Sequence, residues 1–437
     1  MVRLYDSKTK KLINVDEQEV SIYNCGPTVY NHIHIGNARP LVTFDVLVRL
    51  LLHLKRDVKY VLNITDIDDK IINEAKKENK PELELSNYYA DQYFLIKEKL
   101  NTLPMINPKV SDNIQGIIDY INDLVEKKVG YFGEDGDVYF DVSAFKDYGC
   151  ISNQNPQDLI SGARVEADLN KKHANDFVLW KKTVEGIQWD SPWFKGRPGW
   201  HTECAYLIHK LIGNQATIHG GGMDLKFPHH ENENAQNECL YGCSLAKIWM
   251  HVGMINIANE KMSKSLNNFI LVKDILNKYS YQALRWFFYQ AGFASPLNYS
   301  DEIMSQMEDE IAKFKQSINQ AKNLLILSNE SIEFADKIID ENVVNFLSDN
   351  LNLINAVTEL YAINKKLNLA IREKDIAKVQ VLLNTVVNTL KLMGIEFENI
   401  HDEQTISLLR EWDKYQQEKN YTKADEVRSL LAKKGVL

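Results

Sequence analysis

The sequence lacks the long apolar runs that a membrane anchor or a secretion signal requires. Its opening, MVRLYDSKTKKL, has no hydrophobic signal-peptide core, and its most hydrophobic helical stretch, near Val46 to Leu54, is interrupted by Arg49 and His53. Nothing here is expected to span a membrane, and a cytoplasmic protein is expected. Cysteine is sparse: Cys25, Cys150, Cys204, Cys239 and Cys243 are an odd five, scattered along the chain. That pattern excludes a disulfide framework and leaves metal binding or catalysis as the better use of a thiol. Positive charge is not in excess either. With 51 Lys and Arg against 60 Asp and Glu the net charge is −9, so an RNA partner needs a local basic surface rather than a global pull. Repeats and low-complexity tracts are absent. What remains is an ordinary globular composition, 437 residues long, enough for a large core and about two to four domains.

The stretch that organises the chain is Tyr23 to Arg39, YNCGPTVYNHIHIGNAR. An alternating run, Val20, Ile22, Asn24, reads as a strand leading into it, and the apolar segment Leu41 to Leu54 reads as the helix leaving it. Gly26 and Gly36 allow a tight turn and a close approach of backbone to ligand. Free amides at a helix start, with the helix dipole, face any phosphate placed above them. His34 and Asn37 add side-chain donors, and Cys25 puts a thiol that could ligate a metal at the strand end. Taken alone, such a turn is also compatible with an ordinary strand-turn-helix unit.

Val58 to Ile64 reads as a second buried strand, which completes a βαβ unit. Asp66, Asp68 and Asp69 resemble a calcium loop only superficially. Ile71 and Lys77 stand where its glycine and distal glutamate belong, so helix capping and a site wall are expected instead. Asp135 and Gly136, flanked by YFGE and DVYFDV, signal a hairpin within an inserted unit. After it come a helix at GWHTECAYLIHKL, a strand at Gln215 to His219, a glycine turn entering another helix at GGGMDLKFPHHENENAQNECL, and a strand at Trp249 to Ile257. Beyond Tyr279 the period becomes helical, with helices expected at Ser300 to Leu327, Asn342 to Ile371 and Ile376 to Met393, then a hairpin at Ile406 to Leu437. The expected fold is α/β, a doubly wound parallel-sheet (Rossmann-like) domain with a small inserted α+β unit, then a helical bundle and a short helical hairpin. The expected boundaries are 1–104 and 199–299 for the two halves of the α/β domain, 105–198 for the insertion, 300–395 for the bundle and 400–437 for the terminal module.

His229 and Glu233 stand four apart on an expected helix, so both project from one face. HHENE is not the HExxH order of a zinc protease, and the pair alone cannot close a metal site. Cys25 at a strand end and Cys204 at the head of the second half complete it, because a doubly wound sheet gathers its strand ends along one edge. Cys25, Cys204, His229 and Glu233 offer sulfur, nitrogen and oxygen ligands of the kind zinc accepts. Cys239 and Cys243, also four apart, read as small buried core residues, and His230 as a packing or hydrogen-bonded neighbour.

HIGN at 34–37 together with KMSKS at 261–265 resembles the class I aminoacyl-tRNA synthetases. CGPTVYNHIHIG, NITDIDDKI, GRPGWHTEC, HGGGMDLKFPHHENE and KNYTKADEVRSLL are similar to the cysteine-specific branch of that family, across nearly the whole chain. The resemblance implies a ligase that activates L-cysteine with ATP, releases pyrophosphate and transfers cysteine to the terminal adenosine of tRNA-Cys. It implies one zinc ion on the four ligands above, binding the substrate thiolate, with Trp200 as a wall of the cysteine pocket. His34, Gly36 and Asn37 are implied at the phosphates, Gly222 and Asp224 at the adenosine, and Lys261 and Lys264 on a loop that neutralises developing charge. Magnesium with ATP is also implied, and a monomer is expected.

The sequence departs from the family at Asn37, where many members carry a second histidine, and at SDNLNLINA (348–356), which lacks the usual proline. It also stops at Leu437, short of a glycine- and tryptophan-containing tail common in relatives, which bears on anticodon reading. From His401 onward seven acids face seven bases, too even a balance to signal RNA by charge. Two rival readings remain: a ligase that joins cysteine to a small amino-sugar acceptor, and a non-catalytic RNA-binding paralogue.

Overall fold

The computed structural model describes residues 1–153, 170–257, 260–261, 269–332 and 338–437, with only the backbone of residue 261. The chain divides into two units, one of residues 1–275 and 293–298, the other of residues 276–292 and 299–437.

The first unit opens on an antiparallel hairpin, β1 (Val2–Asp6) and β2 (Lys11–Val15), closed by Asp6, whose carboxylate accepts from both the amide and the hydroxyl of Thr9. Then β3 (Glu19–Asn24) leads through the Cys25–His34 turn into α1 (Ile35–His53) and back to β4 (Asp57–Leu62). Fourteen of the helix's residues are buried, so it sits as an inner layer against the sheet. The helix starts at Ile35, earlier than the apolar run at Leu41 implied. Its cap explains this: the His34 ring accepts from the Gly36 amide and the Asn37 side chain accepts from the His34 amide, so HIGN is the first turn itself.

Helices α2 (Asp69–Glu78), α3 (Glu82–Lys99) and α4 (Ile114–Glu126) follow. Asp68 caps α2, as expected of that aspartate run, while Asp66 is buried and accepts from the amide and hydroxyl of Ser111. The insertion is a four-stranded antiparallel sheet in chain order, β5 (Gly130–Phe132), β6 (Val138–Phe140), β7 (Phe177–Lys182) and β8 (Gly196–Pro198). Gly136 in the first turn takes φ +89, which only glycine adopts without strain.

The chain returns to the main sheet through α5 (Trp200–Leu211), β9 (Ala216–Gly222), α6 (Glu231–Tyr241) and β10 (Ala246–Val252). That sheet is fully parallel, in the order β10-β9-β3-β4. Chain order reverses between β3 and β9, and a crevice at the carboxyl ends of those strands is where such sheets bind ligands. Tyr23, His219 and Trp249 are register partners across β3, β9 and β10. Helix α5 packs onto this sheet through Cys204, Leu207 and Ile208, and burying each of the two aliphatic side chains contributes roughly 1.5–3 kcal/mol. The strand expected over Trp249 to Ile257 is two pieces, β10 and β11 (Ile255–Ile257), separated by Gly253 and Met254.

The second unit is helical, led by Tyr281–Phe288 and Asp301–Leu327. The helix expected over Asn342 to Ile371 is two, Glu341–Ser348 and Leu353–Glu373. Asn350 and Leu351 take φ 59 and 45, which ends the first helix, and Asn352 caps the second by accepting from Asn355. Ile376–Leu392 completes the bundle, and Glu403–Gln417 with Tyr421–Lys433 form the terminal hairpin. No helix of the described residues is long and apolar enough to cross a membrane.

Candidate active site

A cleft of about 360 Å³ opens at the switch point of the sheet. The turn after β3 forms its floor, where the Cys25 amide donates to the Gly220 carbonyl of β9 and the Gly26 amide to the Asn63 side chain. A Cβ on Gly26 would lie 1.6 Å from the Asn63 carbonyl oxygen, so a side chain cannot be accommodated at this turn. His34, Gly36 and Asn37 line one wall. Burial lowers the His34 pKa to about 4, and its Nδ1 accepts from the Gly36 amide at 3.1 Å, so the neutral ring carries its proton on Nε2. The first turn of α1 holds no acid of its own, and Asp224, which also lines the cleft, is the acid that acts on His34.

Trp200, Cys204 and His229 line the cleft together with Cys25. Trp200 opens α5 and is 37% exposed, and Cys204 follows one turn later, wholly inside. The turn Lys226–His230 runs into α6 and keeps the four-residue relation: His229 Nε2 lies 2.8 Å from Glu233 Oε1. The donor atoms of Cys25, Cys204, His229 and Glu233 all fall within 4.8 Å of one another. The structure brings these four together, as their sequence positions suggested. A second set within the same limit shares Cys25 and Glu233 and substitutes His219 and His230. Only the first set opens its remaining members, Cys204 and His229, onto the cleft.

These side chains form an ionic cluster in a buried place. Burial and the neighbouring Cys204 push the Cys25 thiol well up. Burial also acts against a Cys204 thiolate, but hydrogen bonds from Cys25, at 3.7 Å, and from His229 outweigh it and bring its pKa to about 6. His229 is raised to about 10 against burial by Glu233 and Cys204, and Glu233 is held well below the usual carboxylate range by His229 and His219. Two thiols, an imidazole and a carboxylate, converging without bulk water, are a donor set that fits a metal ion such as zinc, whose binding displaces their protons.

Three further histidines surround this cluster that sequence reading did not single out. His219 Nδ1 donates to the Tyr23 carbonyl and its Nε2 lies 2.6 Å from Glu233 Oε2. His201 Nδ1 lies 3.1 Å from His229 Nδ1, and burial lowers its pKa to about 3. His251 pairs with His230, which is indeed hydrogen-bonded as expected. A signal was available for His251, which stands next to the carboxyl end of β10, where a switch point gathers ligands, but not for His219, which lies in the middle of β9. Gly222 and Asp224 also line the cleft. Lys264 lies outside the described residues, and Lys261 is described only as the backbone of a short strand with Glu260. The five cysteines are free thiols, with Cys239 and Cys243 away from the cleft.

A family model for class I (C) tRNA synthetase catalytic domains matches residues 11–309. The chain is 52% identical over its full length to the full length of a cysteine–tRNA ligase from Ureaplasma parvum serovar 3, and 46% identical, again end to end, to one from Malacoplasma penetrans. Among solved structures, a methionyl-tRNA synthetase from Mycobacterium tuberculosis in complex with methionyl-adenylate matches 90% of this chain with 91% of its own, at a TM-score of 0.63 and 14% identity. That last likeness speaks for the fold alone.

Proposed function

The chain belongs to the cysteine–tRNA ligases, a family of class I tRNA synthetases, and on that premise we propose which of its residues bind and activate the substrates. The observation that carries the assignment is the convergence of Cys25, Cys204, His229 and Glu233, the first three of which line the same cleft as Trp200 and the first turn of α1.

The four side chains would hold one zinc ion. Bound there, zinc would supply a Lewis acid that favours a thiolate over a serine hydroxyl. A site built on sulfur discriminates by more than the roughly 10² of an apolar pocket, so no hydrolytic editing domain is required. Trp200 covers the cysteine side of the cleft.

The substrate carboxylate attacks the α-phosphate of ATP in line and pyrophosphate leaves, so the protein's work is positioning and electrostatic stabilisation. The His34 Nε2 proton and the Asn37 amide nitrogen donate toward the phosphates. The Asn37 carbonyl oxygen is already engaged by the His34 amide, so an amide replaces the family's second histidine without losing its donor. Gly36 lets the helix terminus approach the phosphates, Gly222 and Asp224 hold the adenosine, and Lys261 and Lys264 neutralise charge as it develops. Magnesium enters with ATP. The second unit, with its terminal hairpin, grips tRNA-Cys by phosphate contacts and stacking on unpaired bases. The work is done in the cytoplasm, where free thiols stay reduced.

The test joins metal content to chemistry. Zinc-loaded protein is expected to exchange pyrophosphate into ATP only with cysteine present, and to pass labelled cysteine to tRNA. Absence of exchange with zinc bound would leave a binding module; product on an amino sugar alone would move the chain to the other ligase class.

A further inference from the structure

The metal cluster is not closed at its four side chains. A hydrogen-bonded row leads away from Cys25 to the N-terminal hairpin: Cys25 Sγ to His230 Nε2 at 3.4 Å, His230 Nδ1 to His251 Nε2 at 2.8 Å, and His251 Nδ1 to Ser7 Oγ at 2.8 Å. All of it is inside, with His230 at 0%, His251 at 1% and Ser7 at 7% exposure. Ser7 is rigidly held. Its amide donates to the Trp249 carbonyl, its carbonyl accepts from Asn153, and the preceding Asp6 carboxylate accepts from the Trp249 amide.

Each ring in the row has one nitrogen toward either neighbour, so the whole row has two possible polarities. In one, the Cys25 thiol donates to His230 and every later proton points toward Ser7. In the other, Ser7 donates to His251 Nδ1, His251 Nε2–H to His230 Nδ1, and His230 Nε2–H to the sulfur. A Cys25 that ligates a metal is a thiolate and has no proton to give. Only the second polarity then satisfies every atom, and it needs a hydroxyl donor at position 7.

We infer that Ser7, through His251 and His230, is a positioning residue for the metal site: it fixes an N–H···S hydrogen bond on Cys25 and so makes the β1–β2 hairpin the outer end of that site. The inference rests on the metal reading above. His230 is an outer partner of Cys25 here, not a ligand, which separates the two donor sets that share Cys25 and Glu233. Without the hydroxyl, a buried Nδ1 on His251 loses its donor, and the row no longer prefers the polarity that the thiolate requires.

The experiment measures zinc affinity by chelator competition in the full-length protein, alongside the sulfur-to-metal charge-transfer band of the cobalt-substituted form. Ser7→Ala is expected to weaken zinc binding about tenfold, the low end for loss of an outer partner, and to shift the band. Ser7→Thr, which keeps the hydroxyl, restores both and melts like wild type without metal, whereas metal-free Ser7→Ala melts somewhat lower, because the buried His251 Nδ1 loses its partner in either polarity. Affinity within about twofold of wild type in Ser7→Ala, with the band unmoved, overturns the relay. Equal losses in Ser7→Ala and Ser7→Thr overturn it too, since packing rather than the donor would then be responsible. His230→Gln that abolishes zinc binding would make His230 a ligand and likewise overturn it. A wild-type protein that takes up no zinc removes the metal reading itself, a failure distinct from the others.

Discussion

Trp200 lies flat on His229, ring centroids 4.1 Å apart and planes 15° from parallel. One face of the indole therefore holds the His229 imidazole in place. Trp200 also lines the cleft beside Cys25 and Cys204, so under the proposed assignment the same ring would orient a zinc ligand and bound the substrate. At 37% exposure the residue is not a core tryptophan.

Trp200→Ala is accordingly expected to raise the KM for cysteine about 3- to 10-fold, the loss of one aromatic contact, while zinc content stays near one per chain. Trp200→Phe should fall between the two. An unchanged cysteine dependence in the alanine variant, measured by pyrophosphate exchange, would remove Trp200 from the cysteine pocket.

Ligand and phosphate residues should separate cleanly by metal content. Cys204→Ser replaces a buried thiolate donor with a hard hydroxyl, so zinc content and selectivity for cysteine over serine are expected to fall together. Lys264→Ala leaves the four donors intact, and is expected to keep zinc while slowing adenylate formation on the order of 10²-fold. Full zinc content in Cys204→Ser would refute its assignment as a ligand, and zinc loss in Lys264→Ala would refute the separation of roles.

How much of this was legible in the sequence depends on the range of the interaction. The i, i+4 relation of His229 and Glu233 survives although α6 proper starts between them, because one helical turn is a local property. Cys25 and Cys204 could be joined to that pair only through the topological argument about strand ends. The helix start at Ile35 was misjudged because hydrophobic period marks burial, whereas the start is set by two cap hydrogen bonds that carry no period. The break at Asn350 and Leu351 was missed for a related reason: the apolar pattern runs through it, and the left-handed backbone there is a tertiary outcome. Unlike His251, His201 and His219 gave no sequence signal, since what brings them to the cluster is the packing of a mid-strand residue of β9 and of a helix laid over the sheet.

The turn under the site admits no side chain. A methyl group at Gly26 would collide with the Asn63 carbonyl and with Leu62, both on the β4 side. Gly26→Ala must therefore shift the backbone next to Cys25, pulling one donor away from the other three. Reduced zinc affinity together with a lower melting temperature is expected, by about 1–3 kcal/mol if the turn yields rather than unfolds. A variant with native metal affinity and stability would show that the turn has slack that its contacts do not suggest.

The terminal hairpin carries a latch whose response to acid has a definite sign. His401 Nε2–H donates to Asn323 Oδ1 at 2.7 Å, and Asn323 Nδ2 in turn donates to the Val436 carbonyl at 2.9 Å. With Oδ1 fixed as the acceptor, the ring's proton must sit on Nε2. His401 Nδ1 is then bare and buried, so protonating it places a charge inside, near Lys322. Burial first, and Lys322 second, accordingly lower the His401 pKa from 6.5 to about 4. Between those values the unfolded chain binds a proton that the folded hairpin refuses. The contribution of this residue is therefore complete above the unfolded pKa and is lost progressively as pH falls toward about 4. Amide exchange in Glu403–Gln417 and Tyr421–Lys433 should accelerate on going from about pH 7.5 to about pH 5, after correction for intrinsic rates, more in wild type than in His401→Gln. Glutamine can donate to Asn323 and does not titrate, so it keeps the latch and removes the slope. An identical pH response in the two proteins would assign the acid sensitivity of the hairpin to other groups.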